Sequence, residues 1–220
     1  MQNIKLSEKA QEILSQIDEQ TMLGQLRKIA KEINKDHALA MEIWSTDEYL
    51  PRLLAILIMD KQLLSPESID QLMAEMQSHS LSERTNLADW LMANQLVKAK
   101  KHITLIESWE KSSLVLQRRI FWYYQGRLRW TGKKIPDNSL DLLVKIEENI
   151  MQEEPEVQWA MNFTAGWIGV YEEEYRERCI QLGEATGLYK DDMVSKGCTP
   201  NYLPGFITIE VAKRNNKESE

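Results

Sequence analysis

The feature that most constrains this chain is a recurrence. Amphipathic stretches of about 10 to 16 residues, with apolar side chains at helical spacing, follow one another from Ser7 to Thr186 with short joins between them. Ser7 to Gln20 places Ala10, Ile13, Leu14 and Ile17 on one face, and Gln25 to Asn34 does the same with Leu26, Ile29, Ala30 and Ile33 after a bend near Gly24. Asp36 can cap a short helix through Trp44, and Asp47 to Met59 carries Leu50, Leu53, Leu54, Leu57 and Ile58. Ser65-Pro66-Glu67 combines a capping hydroxyl, a proline at the first helical position and an acid in the first turn, which makes it a helix start. Further helices are predicted over Ser82 to Leu96, Lys100 to Glu110, Leu114 to Trp130, Ser139 to Met151, from Pro155, and over Glu173 to Thr186.

Only 9 Gly and 6 Pro serve 220 residues, too few for the many tight turns of a β fold, and no β-hairpin signal interrupts the helices. The fold expected is all-α: an α-solenoid of stacked antiparallel helix pairs, with an irregular bundle as the alternative. One helical domain is expected over residues 1–212. Thr199 to Glu210 reads as a loop followed by a short apolar segment, and residues 213–220 as a disordered polar tail. No apolar run approaches a membrane span, and Cys179 and Cys198 lack metal-site spacing. His37, His79 and His102 lie far apart. A monomeric cytoplasmic protein without metal or cofactor is expected.

Charge is unevenly spread. The chain carries −7, yet residues 98–134 hold ten Lys/Arg against Glu107 and Glu110, and residues 141–195 hold thirteen acids against four bases. A basic segment of this kind suits a phosphate-lined partner if it lines one surface; alternatively, the two segments pair with each other. Within the basic segment, Leu114, Phe121, Tyr124 and Leu128 form an apolar stripe, while Arg118, Trp122, Gln125 and Arg129 share a neighbouring face. Guanidinium groups pair with phosphate and Trp stacks on bases or cations, so this second face is a candidate nucleic-acid surface. The plainer alternative is that Trp and Tyr cap the core while Arg solvates its edge.

Specific residues then add a resemblance. Lys35-Asp36-His37 to Ile43-Trp44, followed by Tyr49-Leu50-Pro51-Arg52-Leu53-Leu54-Ala55, resembles a signature of the DNA alkylation repair family of AlkD-like glycosylases. Asp60 and Leu63 to Pro66 are similar to that family's next turn, Gln117-Arg118-Arg119 to its Arg-Arg helix, and Val157 to Asn162 to its late Trp-bearing helix. The likeness runs over roughly residues 25–211. It implies HEAT-like repeats that hold duplex DNA, and hydrolysis of the N-glycosidic bond of N3- or N7-alkylated purines. Some relatives have lost activity, so a non-catalytic protein that binds DNA or another protein is the alternative.

The resemblance also implies a site. Asp89 stands where the family carries its catalytic Asp, on a small polar helix face with Thr85, Asn86 and Ala93. Trp159 matches the late aromatic, and Arg118 and Arg119 together answer to one family Arg. Asp89, Trp159 and Arg118 are therefore the expected catalytic group, with Arg119, Trp122, Arg129, Lys100 and Lys101 as DNA contacts. One departure is plain: the family usually has Trp four residues before the Asp, and here that position is Thr85, with Trp90 about 100° away around the helix.

Overall fold

The helices begin where local hydrogen bonding can start them. Ser65 Oγ accepts the Ser68 backbone N–H at 3.2 Å while the Ser65 N–H donates to Ser68 Oγ at 2.9 Å, so two donors orphaned by the helix end are satisfied reciprocally. Asp36 Oδ1 accepts the Leu39 N–H at 3.1 Å, and Ser80 and Glu83 form a further capping box. The computed structural model describes residues 6–132 and 135–218. Among them stand twelve α-helices and no strand: α1 Glu8–Leu14, α2 Leu23–Ile33, α3 His37–Trp44, α4 Tyr49–Ile58, α5 Pro66–Met76, α6 Leu81–Asn94, α7 Lys100–Glu107, α8 Val115–Trp130, α9 Ser139–Asn149, α10 Pro155–Tyr171, α11 Glu173–Thr186 and α12 Leu203–Glu218. None of the described helices is long and apolar enough to cross a membrane. The chain falls into two units, Met1–Ser108 and Trp109–Glu220.

In the first unit the helices pair. The Asp36 N–H at the start of α3 donates to Ile58 O at the end of α4, at 2.9 Å, so the two run antiparallel. Helices α2, α4 and α6 pack side by side as one layer. Helix α4 is buried on nearly every side, including Leu53, Leu54, Ile56 and Ile58, as expected of a helix enclosed by neighbours. The signature residues sit at the junction of α3, α4 and α5. Arg52, 3% exposed, lies over the Trp44 ring at 4.6 Å, donates to Glu75 O at 2.9 Å and contacts Asp47 Oδ1 at 2.8 Å. It also contacts His79 Nε2 at 2.8 Å, and because a guanidinium can only donate, that nitrogen is the acceptor. Those residues therefore hold the helices together.

In the second unit α10 is the buried centre, with α8, α9, α11 and α12 against it. Small residues permit the approach. A Cβ on Gly126 would lie 2.6 Å from Phe163 Cδ1, and one on Gly169 would lie 2.7 Å from Ile207 Cδ1. The end of the chain differs from expectation: residues 213–218, expected as an unordered tail, continue α12. The reason is packing. Leu203 and Ile207, four apart, are buried, Lys213 Nζ donates to Glu210 and Thr199 at 2.7 Å each, and the Arg214 guanidinium lies 3.7 Å from the Tyr171 ring centre.

The two cysteines stand in opposite surroundings. Burial, with the charges of Glu172 and Glu147, pushes the Cys179 thiol up to about 12, while Cys198 is exposed. Since the thiolate is the reactive form, at pH 8 only Cys198 is expected to react with a thiol reagent. Titration should count one thiol in the native protein and two in denaturant; two fast-reacting thiols in the native protein would contradict this packing.

Candidate functional site

The residues expected to form the site fall in both units. On α6, Asp89 is half-buried, with Thr85 one turn before it. Thr85 Oγ1 donates back to Leu81 O at 2.8 Å and Ser82 O at 3.0 Å, a common use of a mid-helix threonine. Next to Asp89, Trp90 donates its indole N–H to Leu53 O at 3.1 Å, and the Arg27 guanidinium of α2 lies 4.5 Å from its ring centre. Trp90 follows Asp89 directly in the chain but lies about 100° from it around the helix and about 140° from the position that Thr85 occupies, so its ring faces another side of α6.

In the second unit, Trp159 begins a file of rings along α10 at four-residue spacing, which keeps them on one face. Trp159 stacks on Phe163 at 5.2 Å and 17°, followed by Phe163 to Trp167 at 6.1 Å and Trp167 to Tyr171 at 5.9 Å. Tyr123 of α8 joins Trp159 at 5.9 Å, and Trp130, 45% exposed, stacks on Trp167 at 6.2 Å. The Arg119 guanidinium lies 4.8 Å from the Trp159 ring centre and donates to Glu156 O at 2.8 Å. The packing thus settles which of the two adjacent arginines meets Trp159: it is Arg119.

The face of α8 proposed from spacing is not a surface. Trp122 is 2% exposed and Arg129 is fully buried. Arg129 donates to Glu172 at 3.1 Å, Gln125 O at 3.1 Å, Asn138 at 2.8 Å and Ser139 at 2.6 Å. Burial draws its pKa below the ordinary guanidinium value, and the charge and hydrogen bond of Glu172 oppose this. Neither residue can reach a partner, and the expectation for both is corrected: the Trp fills the core and the Arg ties α8 to the segment that ends α10. Arg118 is held by Glu153 at 2.9 Å, by Glu154 at 2.5 Å and by Ser112 O at 2.8 Å. Burial lowers its pKa, but the hydrogen bond and charge of Glu153, with Glu154 behind, carry it above the ordinary value. From α8 onward, the basic and acidic segments thus pair with each other, and Lys145 pairs in turn with Glu110 at 2.9 Å.

Of the two lysines expected as contacts, Lys101 donates to Gln62 O and Leu64 O at 3.0 Å each, while Lys100 is exposed. A third feature escaped the linear reading. Lys31, Lys35, Lys61 and Lys98 line one cleft of about 330 Å³ with Asn34 and Asn94. No local pattern marks them, because only Lys31 and Lys35 share a helix end, and Lys61 and Lys98 come from two other stretches of chain.

The family model described as DNA alkylation repair enzyme matches residues 21–167. No curated protein matches the chain. A solved structure described as "a new family of proteins related to the HEAT-like repeat DNA glycosylases with affinity for branched DNA structures" is similar with a TM-score of 0.64, at 17% identity, over 96% of this chain and 90% of that one. At that identity the likeness concerns the fold: an all-α arrangement of stacked helix pairs of the HEAT-like kind.

Proposed function

This chain belongs to the DNA alkylation repair enzyme family, and from that premise we propose that it binds duplex DNA and hydrolyses the N-glycosidic bond of N3- or N7-alkylated purines. An alkylated purine already carries positive charge and leaves readily. As the bond breaks, positive charge grows on the sugar, and a nearby carboxylate stabilises it and orients the attacking water. Asp89 is assigned that carboxylate. Trp159, with Arg119 across its face, is assigned a DNA contact of the second unit. The single observation that carries the reading is the half-buried Asp89 on α6 in a chain that the family model matches over residues 21–167. The test is release of free base from methylated duplex DNA by wild-type protein. Release above the spontaneous rate supports hydrolysis, and none from a folded preparation refutes it.

A second reading rests on Thr85, whose hydroxyl is turned into its own helix where the family usually presents Trp. On this reading the protein binds DNA without excising a base. Branched DNA is the substrate to compare, because the similar structure is of a protein family described as having affinity for branched DNA structures. Salt-sensitive affinity for DNA with no base release would select it.

A further inference from the structure

We infer that the lysine-lined cleft of the first unit takes the phosphodiester backbone of DNA. The inference rests on the reading that the protein engages DNA. Four ammonium groups, Lys31, Lys35, Lys61 and Lys98, line this cleft, and no carboxylate lines it. The surplus is local, since the whole chain carries −7. Like charges gathered in one cleft repel, and folding gains nothing from that arrangement.

The ordinary explanation is that lysines cap the negative ends of helices, because the cleft lies where α2, α4 and α6 end. The hydrogen bonds argue otherwise. Several end carbonyls already have partners: Ala30 O accepts from Asn34 N at 2.9 Å, Ala55 O from Met59 N at 3.0 Å, Ile58 O from Asp36 N at 2.9 Å and Ile56 O from Gln95 Nε2 at 2.5 Å. Lys101 is what a capping lysine looks like, with two carbonyls on its ammonium. Among the described residues, Lys31, Lys61 and Lys98 have neither a carbonyl nor a carboxylate partner, and Lys35 meets Asp60 at 3.4 Å while remaining 56% exposed.

The arrangement fits an extended polyanion. Arg27 lies one turn before Lys31 on α2, about 6 Å along the axis, and it covers the ring of Trp90, the residue next to Asp89. Asn94, in the cleft wall, donates to Trp90 O at 2.9 Å. Cations therefore run from the cleft to the Trp90 ring. Long, mobile ammonium groups suit sequence-independent contact with successive phosphates.

The test compares wild type with the triple variant Lys31→Gln/Lys61→Gln/Lys98→Gln on undamaged duplex, with affinity measured across salt concentration. Each lost phosphate contact removes about 0.9 from the slope of log affinity against log salt, so a fall of about 2 to 3 is expected. Affinity at low salt should drop at least about tenfold. Lys190→Gln/Lys196→Gln is the charge control and should leave the slope unchanged. If the triple variant fails to fold by circular dichroism, Lys98→Glu alone should lower the slope by about 1 or more. An unchanged slope in the variant, as when the cleft takes an acidic protein segment instead, overturns the inference, and so does an equal fall in the control. Base release is assayed separately with protein in excess. Retained release with an unchanged slope removes this inference alone, whereas absence of any DNA affinity in wild type removes it together with the functional reading.

Discussion

Asp89→Asn is expected to lower base release from methylated duplex by about 10²–10⁴-fold, the range over which a positioned acid or base group contributes. The substitution keeps the shape of the side chain, exchanges one acceptor oxygen for an N–H donor and removes the charge. A sugar that becomes cationic then loses the anion that stabilises it, while the ground state, with its charge on the purine, is less affected. DNA affinity should stay level or rise slightly, because one negative charge leaves a surface that phosphates approach. This separates a chemical defect from a folding defect, which would lower binding and release together. Release within about threefold of wild type would remove Asp89 from the mechanism, since the smallest contribution of such a group is larger.

The second large effect concerns stability. Arg129→Met is expected to cost about 3 to 5 kcal/mol, the usual penalty for removing one partner of a buried ion pair. Arg129 is fully buried, and its loss leaves Glu172, with 16% side-chain exposure, beside Asn138 and Ser139 without a cation. Replacing both partners, Arg129→Met with Glu172→Leu, should recover much of the loss, because two apolar groups leave no charge stranded. Urea unfolding of the three proteins measures this. A loss below about 1 kcal/mol in the single variant would mean that water reaches the pair and that its burial contributes little. Under native conditions, Arg129→Met protein that remains folded should bind DNA as wild type does, since a side chain with no exposed surface makes no contact. That outcome separates Arg129 from Lys31, Lys61 and Lys98.

Much of the helical order was legible in the sequence, because the interactions that start a helix are local. Asp36 caps α3 and Pro66 opens α5 as their neighbours dictated. Predicted ends ran long where a buried face was absent: α1 stops at Leu14, short of Gln20, after burying only Ala10 and Ile13. α12 was missed because its apolar residues find partners only through packing on α10 and α11, in side chains such as Trp167, which meets Phe206 ring to ring at 5.2 Å. The signature around Trp44 and Arg52 identified the family, yet its residues bind helix to helix.

By itself, the sequence determined an all-α chain of paired helices, its family, and Asp89 as the carboxylate to test. The first follows from 3.6-residue periodicity and caps, the second from motifs of residues a few positions apart, and the third from the resemblance to that family. Only the tertiary structure decided which charges remain for a partner. Arg118 and Arg129 looked available on a helical wheel, but Glu153, Glu154 and Glu172 lie 35, 36 and 43 residues away in sequence and arrive beside them through packing. Lys31, Lys35, Lys61 and Lys98 looked unremarkable one by one, and the ends of three helices bring them to one cleft. A charge is read locally, but its partner is chosen by which helices stack, and that choice belongs to the burial of apolar faces.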